Sequence, residues 1–335
     1  MAVVLCHSTH YRENDMSFSF AKHETFYIRD GWLNKGIQAV LDNPNIFLDD
    51  EAPEELGLGK NMVRSLRFWM KASGIADKVV GRRTTQELSY FGQLVSQYDP
   101  YQELDGTIWF LHHNLISNPE MTTTWYWFFN HYIPTRFTYG EFLGRLKSWL
   151  NTQASEDDKT VADSSLRKDF DCLLKTYLPS QRDTSPEDVL ESPLTTLGLL
   201  SAYTDFDEET GKKVKAYRLE SGSPDNIHPL VLLYVLLKAQ QSGDRHEASQ
   251  VGLQVALREP CNVGRTFNIK PTDFEDLLSQ LNDRYPQWRV QLTRTGGLDQ
   301  LTLPHVSAET VMEHYYVEQA DAAEEVQTWS RPLKV

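Results

Sequence analysis

The chain reads as an α+β protein, mainly helical with small β wings, and three observations carry that reading. Apolar residues recur at three- and four-residue spacing along most of the 335 positions. Two hairpin patterns, a short basic one near residue 80 and a Gly-Gly one near residue 296, each follow a helical pattern. The cations, outnumbered overall, fall in register on one of those helices. A chain of this length that is 40% hydrophobic can bury a real core and is expected to divide into several domains.

Taken in order, residues 1–17 turn polar after a stub of apolar residues and are expected to be disordered. Residues 18–104 are expected to form a winged helix-turn-helix. GWLNKGIQAVLDN places apolar residues at 33, 37, 40 and 41 and stops at Asn43–Pro44, a capped end followed by a breaker. DDEAPEELGLGKN supplies a short helix and a Gly turn. In the next helix Lys60, Arg64, Arg67 and Lys71 recur at i, i+4, i+7 and i+11, one stripe, while Val63, Leu66 and Met70 occupy the opposite one. KVVGRRTTQELSYFG then has the form of a short basic hairpin, the order of a winged helix.

Residues 105–185 form a central helical region crowded with aromatic residues. Six large rings fall within residues 125–132, as expected of a helix buried on most of its surface, with base stacking on one or two exposed rings as the functional alternative. Thr138 and Glu141 make a capping box. A polar, acidic stretch at 151–165 reads as a linker, and SSLRKDFDCLLKTYL after it as a helix. Residues 186–308 are expected to be helical and winged-helix-like. There LTTLGLLSAYTD reads as helix and KKVKAYRLE as strand, HPLVLLYVLLKAQQSG and ASQVGLQVALRE read as two helices, and KPTDFEDLLSQLNDRY with its Gly-Gly hairpin reads as a second winged segment. Its helix carries Asp273, Glu275 and Asp276, which suits protein contact or domain packing better than DNA. Residues 309–335 read as an acidic helix with a solvated tail.

Charge separates the segments. The whole chain has 33 Lys/Arg against 47 Asp/Glu, a net of −14, unlike a protein that coats nucleic acid without selectivity. Residues 57–95 alone hold seven Lys/Arg against two acids, Asp77 and Glu87, so that segment is +5 and the remainder −19. Screening over about 8 to 10 Å makes a ligand respond chiefly to the nearest patch. The stripe is either a solvated helix face or a contact to a phosphate backbone; the turn and wing around it favour contact with DNA or RNA, and double-stranded DNA is the expected partner. In that case Lys60, Arg64, Arg67 and Lys71 meet phosphates or base edges, Asn61 at the helix start can read adenine, and Arg82 and Arg83 act from the wing.

Self-announcing catalytic motifs are missing: no phosphate-binding loop, dinucleotide fingerprint, metalloprotease helix or cysteine pair occurs. FAKHETFYIRDGW concentrates His23, Glu24 and Arg29 among aromatic residues. A nuclease can use a His as base and a carboxylate to hold Mg2+ or Mn2+, which makes His23 and Glu24 the candidate catalytic pair; the alternative is a polar network that fixes the N-terminal domain. His112, His113, Asn130 and His131 suit structural roles better. Asp169 and Asp171 diverge by about 200° on a helix and form a weak metal pair. The metal ligands stay unassigned. Cys6, Cys172 and Cys261 are far apart and odd in number, which suits reduced thiols in the cytoplasm. No apolar run approaches the roughly 18 to 20 residues of a membrane span, and no signal-peptide pattern opens the chain.

Five blocks occur in order: FAKHETFYIRDGWLNKG, NPNIFLDDEAPEELGLGKNMVRSLRFWMKASGI, YDPYQELDGTIWFLHHNLISNP, TTWYWFFNHY and SSLRKDFDCLLKTY. Through them the chain resembles, over roughly residues 18–300, the bacterial family known as domain of unknown function 4007. The resemblance implies a place in DNA phosphorothioation, the replacement of a nonbridging phosphate oxygen by sulfur, within an antiphage restriction–modification system. It implies DNA nicking as an activity. It also implies work alongside a cysteine desulfurase, an ATP-dependent sulfur-transfer enzyme and an ATPase, with a restriction effector that senses the modification. Three functions stay open: a DNA-nicking component of that machinery, a noncatalytic DNA-reading scaffold, and a winged-helix transcriptional regulator.

Overall fold

The periodicity of the basic segment becomes structure in α3 (Lys60–Ala72), where Val63, Leu66, Trp69 and Met70 are buried while Lys60, Asn61 and Arg64 face solvent. The computed structural model describes residues 17–80, 84–153, 161–180, 190–206, 211–241 and 250–329. The expected disorder of residues 1–17 and the wing residues Arg82 and Arg83 therefore lie wholly or almost wholly outside the described residues. Before α3 come α1 (Trp32–Asp42), which buries Trp32, Leu33, Ile37 and Val40, and the short α2 (Ala52–Leu56). Leu41, read as part of the apolar face, is instead exposed. Gly57 ends α2 at φ 60, a conformation open to glycine at little cost. Gly36 lets α1 approach α3 closely, because a Cβ there would run into the Met70 sulfur and Leu66.

After α3 the chain forms β1 (Ala76–Val80) and β2 (Thr84–Leu88), an antiparallel pair with Ala76 opposite Leu88, and then α4 (Tyr90–Tyr98). Ser89 caps α4 by accepting the Gly92 N–H at 2.9 Å and donates its hydroxyl to the Gly74 carbonyl at 2.6 Å. Gly92 is the point of closest approach, since a Cβ there would overlap the Ile75 backbone carbonyl. Gly92→Ala should therefore destabilise by about 1–3 kcal/mol, as overpacking against backbone does. Gly144, on a helix face with nothing within 4 Å of an added Cβ, should gain up to about 1 kcal/mol as alanine. Urea titration of the two variants checks the contrast; equal midpoints would contradict this packing.

The aromatic middle is buried as expected. α5 (Asp105–Ile116) is covered on nearly every side, and α6 (Thr123–Trp127) runs into a π-helical turn at Phe128–Tyr132 with Trp125, Trp127, Phe128 and Phe129 inside. Asn130 satisfies the irregular turn: its Nδ2 donates to the Ile116 and Tyr126 carbonyls at 2.8 and 3.0 Å, and its Oδ1 accepts the Cys261 N–H at 2.7 Å. α7 (Tyr139–Gln153) starts with the expected capping box, in which the Thr138 N–H donates to Glu141 at 2.7 Å. α8 (Asp163–Tyr177) follows. Helix thus continues into both ends of the expected 151–165 linker, and residues 154–160 are not described.

Two sequence readings fail beyond α8. LTTLGLLSAYTD forms one 3-10 turn (Pro193–Leu197) and then β3 (Leu200–Phe206), which pairs with β4 (Lys213–Leu219) in a hairpin. Gly198, at φ 64, stops the helical turn, and the Tyr and Thr beyond it favour the extended chain. Next comes α9 (Pro229–Ala239), buried almost all round. The start of ASQVGLQVALRE is a strand, β5 (Gln250–Gly252), before α10 (Leu253–Arg258). Its partner lies some fifty residues away in β7, beyond the reach of local periodicity. α11 (Val263–Thr266) and α12 (Pro271–Arg284) lead to β6 (Gln291–Thr295) and β7 (Leu298–Thr302), in a sheet ordered β5-β7-β6. Gly296 and Gly297, at φ 59 and 87, make the two-residue turn that the sequence predicts. α13 (Ala308–Trp329) turns Val311, Met312, Tyr315 and Tyr316 into the core, so the expected acidic tail begins as a packed helix.

The product is a mainly helical α+β fold with small antiparallel sheets. Buried apolar residues from Tyr27 to Tyr316 join in one cluster, to which the expected segments 18–104, 105–185 and 186–308 all contribute. Among the described residues no helix is long and apolar enough to cross a membrane.

Buried histidines tie the middle together. His112 Nε2 donates to the Thr266 carbonyl at 3.0 Å, leaving Nδ1 to accept the Tyr177 hydroxyl at 2.8 Å. His113 donates from Nε2 to the Cys261 carbonyl at 3.3 Å. Burial pulls His112 down to about 3, helped by His113 and opposed by the Thr266 bond. Burial and Lys238 pull His113 down to about 4, against the Cys261 bond. Both stay neutral when folded, whereas an unfolded histidine protonates near pH 6.5, so acid favours the unfolded chain. Stability should be flat above about pH 6.5 and then fall by up to about 1.4 kcal/mol per pH unit for each histidine. Urea midpoints measured between about pH 7.5 and 5, where carboxylates stay ionised, test this; a flat profile contradicts it.

Candidate nucleic-acid interface

The exposed edge of α3 carries the cations singled out by spacing. Lys60, Asn61 and Arg64 are exposed, while Arg67 and Lys71 are half-buried. Among the described residues Lys60 and Arg67 form no ion pair. Lys71 lies near Asp77, where burial raises the carboxyl pKa and Lys71 partly opposes the rise. The five residues singled out by the sequence therefore share one helix, and the two wing arginines lie outside the described residues.

The loop preceding α1 lies along the flank of α3. The Phe26 carbonyl accepts Trp69 Nε1 at 2.9 Å and Ser65 Oγ at 3.4 Å. Glu24, at the outer edge of that loop, reaches within 4.0 Å of Arg64; both side chains are solvated, 38% and 57% exposed, so the pair is a weak one. Ala21, Glu24 and Thr25 all adopt positive φ, between 51° and 72°. Non-glycine residues rarely do so, and only surroundings that over-determine the backbone hold them there.

His23 provides those surroundings. Its ring is 1% exposed and lies against Trp69 and Trp125, with centroids 6.1 and 5.9 Å away. His23 Nδ1 accepts the Thr25 N–H at 3.2 Å, so the proton belongs on Nε2, which donates to Asp169 Oδ1 at 3.0 Å. Asp169, on α8, also accepts the Ala21 N–H at 2.7 Å and the Thr124 hydroxyl at 2.6 Å. One carboxylate thus joins the loop, α6 and α8.

His23 and Glu24 do not converge on a common point: one is enclosed in the core and the other leans on Arg64. Asp169, 146 residues from His23, is the partner that sequence reasoning missed, having weighed it only as half of a metal pair with Asp171. Asp171 turns outward to Arg167 at 3.8 Å, as helix geometry requires. Among the described residues no three His, Cys, Asp or Glu side chains form a group able to hold a metal ion.

Fold and surface define an α+β protein that presents one cationic helix edge on an acidic body. The chain belongs to the family described as Protein of unknown function (DUF4007), whose model matches residues 20–316. It is similar to the magnesium ion-bound SspB crystal structure, with 28% identity and a TM-score of 0.75 over 97% of this chain and 93% of that one. It is similar to a further SspB crystal structure at the same identity and TM-score, over 96% and 93%. No match was found among curated proteins.

Proposed function

We propose that this protein is a DNA-binding component of a bacterial phosphorothioation-linked antiphage system. The observation that carries the proposal is the solvent-facing edge of α3, where Lys60, Asn61, Arg64, Arg67 and Lys71 follow one another on a chain of net charge −14. Phosphates are the counter-surface that such a row fits, and the order α1, α2, α3, β1–β2 is that of a winged helix-turn-helix with α3 as the reading helix. Similarity to SspB over nearly the whole of both chains supports the pathway assignment. A cysteine desulfurase, an ATP-dependent sulfur-transfer enzyme and an ATPase are the partners this role requires. The acidic body makes solitary binding weak, so those partners strengthen it.

A second function, metal-dependent nicking of one strand, rests on the family resemblance carried by the five sequence blocks. Purified protein mixed with supercoiled plasmid and Mg2+ or Mn2+ separates the two. Retention of DNA in a shift assay without relaxation establishes a reading scaffold. Relaxation that disappears in an Arg64→Glu/Arg67→Glu variant establishes a nuclease guided by α3. Absence of both would overturn the proposal.

A further inference from the structure

We propose that Arg29 anchors a backbone phosphate of the nucleic acid bound along α3, an inference that rests on the DNA-binding function proposed above. Its guanidinium carbon lies 5.7 Å from the ring centroid of Phe26, 5.5 Å from that of Tyr27 and 5.5 Å from that of Trp32. Three rings around one cation hold the planar group in a fixed orientation, and their negative faces favour a charge that cannot shed its proton. Among the described residues Arg29 makes no ion pair. Its Nε is buried without an acceptor although the side chain as a whole is only half-buried. A buried donor without an acceptor requires an explanation. The outer donors of the half-buried guanidinium, oriented by the rings and without an ion pair among the described residues, match the two oxygens that a phosphodiester offers.

The position of Arg29 fits that role. Its carbonyl accepts the Trp32 N–H at 3.0 Å where α1 begins, and the neighbouring Asp30 N–H donates to the Glu191 carbonyl at 2.8 Å. Tyr27, under the guanidinium, donates its hydroxyl to the Leu190 carbonyl at 3.0 Å. The backbone on both sides of Arg29 is therefore held. The same loop is bonded to Ser65 and Trp69 through the Phe26 carbonyl and reaches Arg64 through Glu24. Arg29 thus places a preorganised cation on the loop that packs along α3, its guanidinium against Phe26, whose carbonyl bonds to Ser65 and Trp69.

Aromatic stacking can also serve stability alone, and the salt dependence of binding separates the two roles. Anisotropy of a short fluorescent duplex is measured over a salt series for wild type, Arg29→Lys and Arg29→Met, with a thermal melt of each. Arg29→Met is expected to weaken binding by roughly 5- to 10-fold near 0.1 M salt and to lower the slope of log K against log salt by about one, the signature of one lost phosphate contact. Arg29→Lys should keep the slope and bind more weakly than wild type, because the planar fork is gone. An Arg29→Met protein that melts lower yet retains the wild-type slope overturns the proposal. Should Arg29→Met fail to fold, Arg29→Lys decides, and wild-type affinity in that variant overturns it. Wild type that binds no duplex overturns the DNA-binding function itself, whereas wild-type binding with an unaltered Arg29→Met slope overturns this inference alone.

Discussion

Replacing Arg64 and Arg67 by Glu should lower duplex affinity roughly 100-fold at about 0.1 M salt and reduce the salt slope by about two. Each phosphate contact releases about 0.9 of a counterion, which near 0.1 M salt amounts to roughly 8-fold in affinity, and two contacts combine with the repulsion of the new anions. Arg64 is exposed, Arg67 is half-buried, and neither belongs to the buried apolar stripe of α3, so the fold should survive. Arg64→Lys/Arg67→Lys keeps the charges and should keep the slope, losing only what a planar bidentate fork contributes. Anisotropy over a salt series is the measurement. If the charge-reversed protein bound with wild-type affinity and slope, α3 would be a solvated face and the proposed interface would be wrong.

Asp169→Ala should destabilise the protein by roughly 3 kcal/mol or more, because each buried donor left without its acceptor costs about 1–3 kcal/mol. The Ala21 N–H, the His23 Nε2–H and the Thr124 hydroxyl all donate to this carboxylate, and the site is closed to water. Its loss leaves two buried donors and one part-buried donor without their acceptor. The positive-φ backbone at Ala21, Glu24 and Thr25 loses its clamp as well, so the loop carrying Glu24 and Arg29 should shift from the flank of α3. Asp169→Asn should cost less: one amide oxygen can still accept from Ala21 and His23, and the Thr124 hydroxyl can rotate to accept from the amide. Urea unfolding followed by tryptophan fluorescence checks both, since Trp69 and Trp125 pack on His23. An Asp169→Ala midpoint equal to wild type would mean that the network carries no weight in the fold.

What could be read from the chain, and what could not, follows from the range of each interaction. The helical periods of α1, α3, α8 and α12 were legible because a buried stripe repeats every three to four residues, and the cationic edge of α3 is the complement of such a stripe. The Gly296–Gly297 turn and the Thr138–Glu141 box are equally local. The β3–β4 hairpin was half hidden because Gly198, a single residue, decides where the helical turn stops. β5 was hidden altogether, since three residues become a strand only when β7 lies beside them.

Composition and spacing alone determined the helical class, the charge asymmetry and the residues of the α3 edge, because these depend on neighbours a few positions away. Tertiary structure alone decided that His23 is enclosed by Asp169, Trp69 and Trp125, that Glu24 leans on Arg64, and that Arg29 stands among three rings. Those arrangements join residues up to 146 positions apart. Burial and hydrogen-bond partners, not residue type, determine whether a histidine or an arginine is a structural fixture or a working surface group.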